Sequence, residues 1–291
     1  MCRAAVFLIL LATLALSSQA ALAARHVFQV QSDPHLRFAR EICLEALRKA
    51  GVDASFEPFP PAPEKRLAAE MASGKLHLAF IPPNADRLAL EAEERVAAIR
   101  IPMERGLLGF RICLVRVAAP DMLAGVKTAE DLRRFTVGQG LGWADIDVYR
   151  LAGIPVAEAP FAAPTDPLRA LAAGNFDLLP LGLSEYEAFL TRYDGAAYGV
   201  VADRHIVIRY PWYRYVWVSR TAPDSGILLA GLRKGLEIMA KDGSFIRMFE
   251  QSKGRFSLES LQGRTVIDLQ SPYAKAYDIE PPFRGLLADP R

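Results

Sequence analysis

The chain has 291 residues, is 52% hydrophobic and 23% charged, and carries a formal net charge of +2. It is too apolar to be disordered, and 20 Gly with 20 Pro are too few for a fibrous protein. With 35 Lys and Arg against 33 Asp and Glu, it has no basic excess to grip phosphate, so no nucleic-acid partner is expected.

Residues 1–23 read as a secretory signal peptide. Arg3 supplies the positive start, Ala4 to Leu16 is apolar except for Thr13, and Ala21-Leu22-Ala23 fits a small-x-small cleavage site. The run is short for a membrane anchor, and no later stretch reaches the roughly 20 apolar residues that span a bilayer. After cleavage the chain is expected to be periplasmic, not membrane-embedded, and monomeric. Cys2 precedes the apolar run, so it is not the cysteine of a lipoprotein signal. Cys43 and Cys113 remain, either as two buried thiols or as one disulfide in an oxidising compartment. There is no CxxC, and His26, His35, His77 and His205 are scattered, so neither a metal site nor a cofactor is expected.

In chain order, His26–Gln31 reads as a strand and His35–Ala50 as a helix, with apolar residues at three- and four-residue spacing and a stop at Gly51. Ala54–Phe59 is a strand, Glu64–Ser73 a helix stopped by Gly74, and Leu76–Ile81 an apolar strand leaving through Pro82-Pro83-Asn84. Asp86–Glu94 is a short helix and Val96–Ile101 a strand.

A second block repeats this order. Gly109–Val117 is a strand, and Thr128–Arg134 a helix with Thr128 and Asp131 in capping positions. Phe135–Val137 is a strand running into Gly138-Gln139-Gly140, followed by the helix Ala144–Ala152. Val156–Ala159 and Phe176–Leu181 are strands, Pro167–Ala173 is a helix between them, and Ser184–Leu190 is a helix that Ser184 can cap. Ile206–Val218 reads as extended; Ile227–Ala240 and Ser244–Lys253 close the pattern as helices.

The run Leu67 to Ile81 matches Leu168 to Leu181: an amphipathic helix, a glycine, then an apolar strand. Alternating helices and continuous apolar strands predict an α/β fold of two similar lobes with mostly parallel, covered sheets. The tail has too little strand for a third lobe and is expected to complete the first. This gives a leader at 1–23, a first lobe at 24–107 and 207–291, and a second at 108–206. Two crossings, near Gly106–Gly109 and Asp203–Tyr210, then make a two-strand hinge. Ligands of such sheets sit beyond the carboxyl ends of the strands.

An export signal, two such lobes and a C-terminal helix pair resemble a periplasmic type II solute-binding protein. The runs Ser32 to Pro34, Leu67 to Pro82, Gly106 to Arg111, Gly138 to Asp145, Ala173 to Asp177 and Lys241 to Phe245 resemble the amino-acid-type extracellular solute-binding family 3 of ABC importers. The resemblance covers about His26 to Lys253. It implies that Phe59 is an aromatic platform for the ligand, the alternative being a core Phe. It implies that Arg87 clamps a ligand carboxylate, the alternative being a helix-surface arginine paired with Glu91. Pro82, Pro83 and Asn84 stand where the family has hydroxyl residues. Gly138, Gln139 and Gly140 correspond to the loop whose backbone N–H groups meet an anion at a helix start. The family's acidic residue for the ligand amino group is missing; Gly182 stands near its place, with Glu185 three residues on.

The residues themselves add two cleft candidates. Trp143 is placed to stack on a ligand, and Asp145 either takes a cation or caps its own helix. Arg66 and Arg111 are further cations of interest, and the stripe Tyr210 to Trp217 is expected to pack the hinge. The expected function is closure on a small polar or zwitterionic, amino-acid-like solute for delivery to an ABC permease. The alternatives are a receptor signalling to a membrane sensor kinase, and a dehydratase-like enzyme using Asp145 and Glu185. No Ser/His/Asp set or nucleotide loop is visible, so catalysis is not expected.

Overall fold

The computed structural model describes residues 25–161, 163, 165–253 and 261–288. The expected leader lies outside them. The first block forms β1 (His26–Gln31), α1 (Arg37–Ala50), β2 (Ala54–Phe59), α2 (Glu64–Ala72), β3 (Leu78–Ile81), α3 (Ala85–Ala92) and β4 (Val96–Ile99). The second forms β5 (Phe110–Arg116), α4 (Ala129–Leu132), β6 (Val137–Gly140), α5 (Asp145–Leu151), β7 (Val156–Ala159), α6 (Asp166–Ala172), β8 (Leu179–Gly182), α7 (Tyr186–Arg192) and β9 (Val200–Ala202). The chain ends with β10 (Ile206–Arg209), β11 (Tyr215–Ser219), α8 (Ser225–Lys241), α9 (Ser244–Lys253) and β12 (Thr265–Asp268).

The expected glycine stops are present: Gly51, Gly74, Gly153 and Gly174 all have left-handed φ angles. Thr128 and Asp131 form the capping box that starts α4. Ser184 caps nothing, since Glu185 stands at the N-cap of α7 and no side chain bonds there.

Five strands make the first sheet, in the order β2-β1-β3-β11-β4. β1 pairs in parallel with β2 and β3, whereas β11 inserts antiparallel between β3 and β4. The second sheet has the order β12-β10-β5-β8, with β9 also on β5. There β5 runs antiparallel to β8, β9 and β10. In each sheet four strands thus run one way and a single strand, β11 or β5, runs against them, so the sheets are mostly parallel with one antiparallel strand each. The cause is connectivity: the chain enters the second sheet on β5 and leaves on its neighbour β10, so the two run in opposite directions. β6 and β7 form a small parallel pair.

Helix α8 lies across α1 on the first sheet, burying Leu228, Leu232, Leu236 and Met239 against Ala39, Cys43, Ala46 and Leu47. At Gly235 the two backbones nearly touch, because a Cβ built there would lie 1.8 Å from the Ala46 carbonyl oxygen. No helix among the described residues is long and apolar enough to cross a membrane. Cys43 on α1 and Cys113 on β5 are free buried thiols, with burial pushing both well above the usual thiol range.

The first crossing between the sheets follows Ile101, and the second runs from Tyr210 to Arg214, slightly later than expected. They are bonded to each other: Tyr210 N–H donates to the Gly109 carbonyl at 3.1 Å, and Met103 N–H to the Arg214 carbonyl at 3.2 Å. The tail departs from the expected division. β12 pairs in parallel with β10, so residues 265–268 belong to the second sheet although 207–291 was assigned to the first lobe. Beyond it, the single turns Ala274–Tyr277 and Pro281–Leu286 return to the first sheet's side. Reaching β12 from α9 and returning from it therefore adds two crossings to the first two, and the return after Asp268 lies wholly within the described residues.

Candidate functional site

A cleft of about 210 Å³ opens where the N-terminus of α3 faces the first turns of α5. One wall is Lys65, Asn84, Asp86 and Arg87; the other is Gly142, Trp143, Ala144, Ile146, Asp147, Arg150 and Glu158. Three cations and three carboxylates line it.

Local sequence explains the first wall. Pro82 and Pro83 end β3, and the Asn84 side chain then caps α3 by accepting from Arg87 N–H at 3.0 Å. This turns the Arg87 side chain inward, where it is 1% exposed. Its Nη2 pairs with Glu64 Oε2 at 2.9 Å, and its Nε has no hydrogen-bond partner. The expected i,i+4 partner, Glu91, instead binds Arg100 at 2.6 Å.

The second wall depends on a close approach. The indole of Trp143 lies flat on Gly140, where a Cβ would sit 2.4 Å from the ring. The ring is also edge-on to Phe161, with centroids 5.9 Å apart. Gln139 and Gly140 are in β6, paired with Glu158 and Ala159, and are not a loop at a helix start. Gly138 is glycine for packing too, since a Cβ there would overlap Phe176. The expectation of an anion-binding glycine loop is therefore corrected: those backbone groups belong to the sheet. Gln139 is 1% exposed and its Oε1 has no partner.

Asp145 and Glu185 belong to a buried ionic network at the hinge. Asp145 Oδ1 meets Arg111 Nη2 at 2.6 Å and accepts from the Tyr210 hydroxyl at 2.6 Å. Asp145 does not cap α5, whose N-cap is Ala144. The Arg111 guanidinium also lies over the Tyr210 and Trp212 rings, 5.3 and 5.9 Å from their centroids. Glu185 binds Arg214 Nη2 at 3.0 Å, and Arg214 also binds Glu104. Burial pushes the Glu185 carboxyl up, but Arg214, Arg111 and His35 outweigh it and hold the group at about 2. Phe59 packs half-buried at the end of β2 and is not a wall of the cleft. Arg66 pairs with Glu70 on the helix surface.

The structure thus brings Asn84, Arg87 and Trp143 together at the cleft and draws Phe59, Gln139, Gly140, Asp145 and Glu185 into core, sheet or hinge. It adds Lys65, Asp86, Asp147, Arg150 and Glu158. One signal for these was available: Asp147 and Arg150 are three residues apart on α5 and share a helix face. Among the described residues, no group of three or more His, Cys, Asp or Glu is placed to hold a metal.

No family model and no curated protein matches the chain. Solved structures do match in shape. An ancestral arginine-binding protein bound to arginine is 19% identical, with a TM-score of 0.54, covering 78% of this chain and 98% of its own. The substrate-binding protein of an amino acid ABC transporter is 13% identical, with a TM-score of 0.51 over 78% of this chain and 98% of its own. A histidine kinase sensor domain with similarity to periplasmic binding proteins is 16% identical, with a TM-score of 0.53 over 78% and 95%. The chain has the type II periplasmic binding protein fold. The cleft lies between the two sheets, with Arg87 on one wall and Trp143 on the other.

Proposed function

We propose that the chain is a periplasmic solute-binding protein that closes on a small zwitterionic, amino-acid-like solute, for delivery to an ABC importer. Its lobes would be 24–107 with most of 210–291, and 108–209 with β12. The observation that carries this reading is the cleft, with walls from both lobes and charges of both signs. Arg87 would take the solute's anionic group from the first lobe, its free Nε adding a donor. Asp147 and Glu158 would take the cationic group, and Trp143 the apolar part. Closure follows when the solute binds the closed form better than the open one.

A thermal-shift screen of amino acids, amines, organic acids and small peptides tests this. A true solute at about 100 times its dissociation constant adds about 2.7 kcal/mol of stability. Arg87→Ala should then weaken that solute by about 2–5 kcal/mol in calorimetry. No shift from any class would sink the proposal. The sensor-domain neighbour supports a second reading, in which the closed form signals to a membrane kinase. Recovery of a kinase rather than a permease in a membrane pull-down would favour it. The binding-protein neighbours support a non-enzymatic role, and Asp145 and Glu185, each held by arginine, are poorly suited to proton transfer.

A further inference from the structure

The return from β12 to the first sheet is attached to both lobes. On the second lobe it begins in β12, and the Tyr273 hydroxyl donates to Asp147 Oδ2 on α5 at 2.5 Å. Four residues on, Tyr277 is 5% exposed, and its ring packs on Trp212, Tyr213 and Tyr215 at 5.5, 5.5 and 6.2 Å between centroids. On the first lobe, Glu280 accepts from Arg100 N–H at 3.0 Å and pairs with Arg233 of α8 at 2.6 Å. Phe283 and Leu286 are buried beneath, 1% and 2% exposed.

We propose that residues 269–286 form an internal clasp, which holds the two lobes together through Tyr273 and Tyr277 and must release before the lobes part further. Covalent continuity alone does not hold the lobes shut. The 12 steps from Asp268 to Glu280 reach about 40 Å when extended, so the linker can pay out as the lobes part. The side-chain holds are what oppose opening. Tyr273 holds α5, while Tyr277 four residues on packs on the hinge rings and Glu280 is tied to the first lobe, so parting the lobes beyond the reach of those few residues breaks at least one of these contacts. Tyr277 is held by its packing on the hinge rings Trp212, Tyr213 and Tyr215. Its buried hydroxyl has no hydrogen-bond partner, which makes the hold weaker than its packing alone would give. The arginine-binding neighbour is matched over 98% of its length by only 78% of this chain, leaving room for an added device of this kind.

The test needs no solute. Spin labels at Arg37→Cys on α1 and Arg169→Cys on α6 sit on exposed positions of the two lobes, while Cys43 and Cys113 are buried and stay unlabelled. The parent chain should give one narrow interlobe distance. Tyr273→Phe combined with Tyr277→Ala should broaden it and add a longer component. A single unchanged distance in a double variant that still melts cooperatively would overturn the clasp. Should the double variant not fold, Tyr273→Phe alone removes one oxygen and no packing. Amide exchange within 269–286 should then quicken at least tenfold, and unchanged exchange would likewise overturn the proposal. A failed solute screen would count against the binding role while leaving both readouts intact.

Discussion

Asp145 is a carboxylate committed to the fold. It is held by Arg111 and Tyr210 in a buried hinge, and removing one partner of a buried pair leaves the other charge uncompensated. Asp145→Asn should therefore cost about 3–5 kcal/mol in urea unfolding, without removing a cleft-wall group. Glu185 gives the acid response. Its folded carboxyl is held near 2, below its ordinary 4.5, so its contribution is present above pH 4.5 and fades as pH falls toward 2. That drop corresponds to roughly 3 kcal/mol, and urea midpoints across this window should fall less steeply in Glu185→Gln than in the parent. Both thiols should resist a water-soluble thiol reagent in the native chain and react on denaturation, because burial disfavours the thiolate. At this scale the sequence was only partly readable. Asn84 and Arg87 follow from a motif, but the true partner of Arg87 is Glu64, 23 residues upstream, and helical spacing can suggest only neighbours such as Glu91.

Among the elements, periodicity and glycine stops were enough to locate most helices and strands, because amphipathic faces and left-handed glycines are local properties. The boundary of β6 was not readable. Gly138 and Gly140 resemble turn residues, yet they are glycines so that Phe176 and Trp143 can lie against the strand. A ring arriving from 38 residues away leaves no local trace. The same logic makes a prediction for α8. A methyl group added at Gly235 would stand 1.8 Å from the Ala46 carbonyl oxygen, so Gly235→Ala must push α8 off α1. It should cost about 3 kcal/mol or more by urea unfolding, whereas the same change at Gly226, which has open space around it, should cost little.

For the whole molecule, the repeated helix–glycine–strand unit was enough to expect two lobes. The excursion to β12 was missed because β12 is four residues long with one buried side chain, too short for alternation to stand out. Its consequence is that the lobes are joined by a side-chain latch as well as by a hinge, so opening should respond to single tyrosine changes. The mixed charge of the cleft also bears on approach. With a net charge of only +2 on the full chain, long-range steering is weak, and a solute's charges are recognised at contact distance.

The insertion of β11 between β3 and β4 has a bearing on how the chain is made. Until residues 215–219 arrive, β3 and β4 lack the strand they share, and α1 lacks the α8 helix that covers it. A growing chain therefore cannot complete its first lobe until the second has been synthesised. Pairings so distant in sequence form slowly. For an exported protein, the role proposed above, that delay is useful: it leaves a long interval in which the polypeptide is still loose enough to be threaded across a membrane, and final assembly waits for the far side.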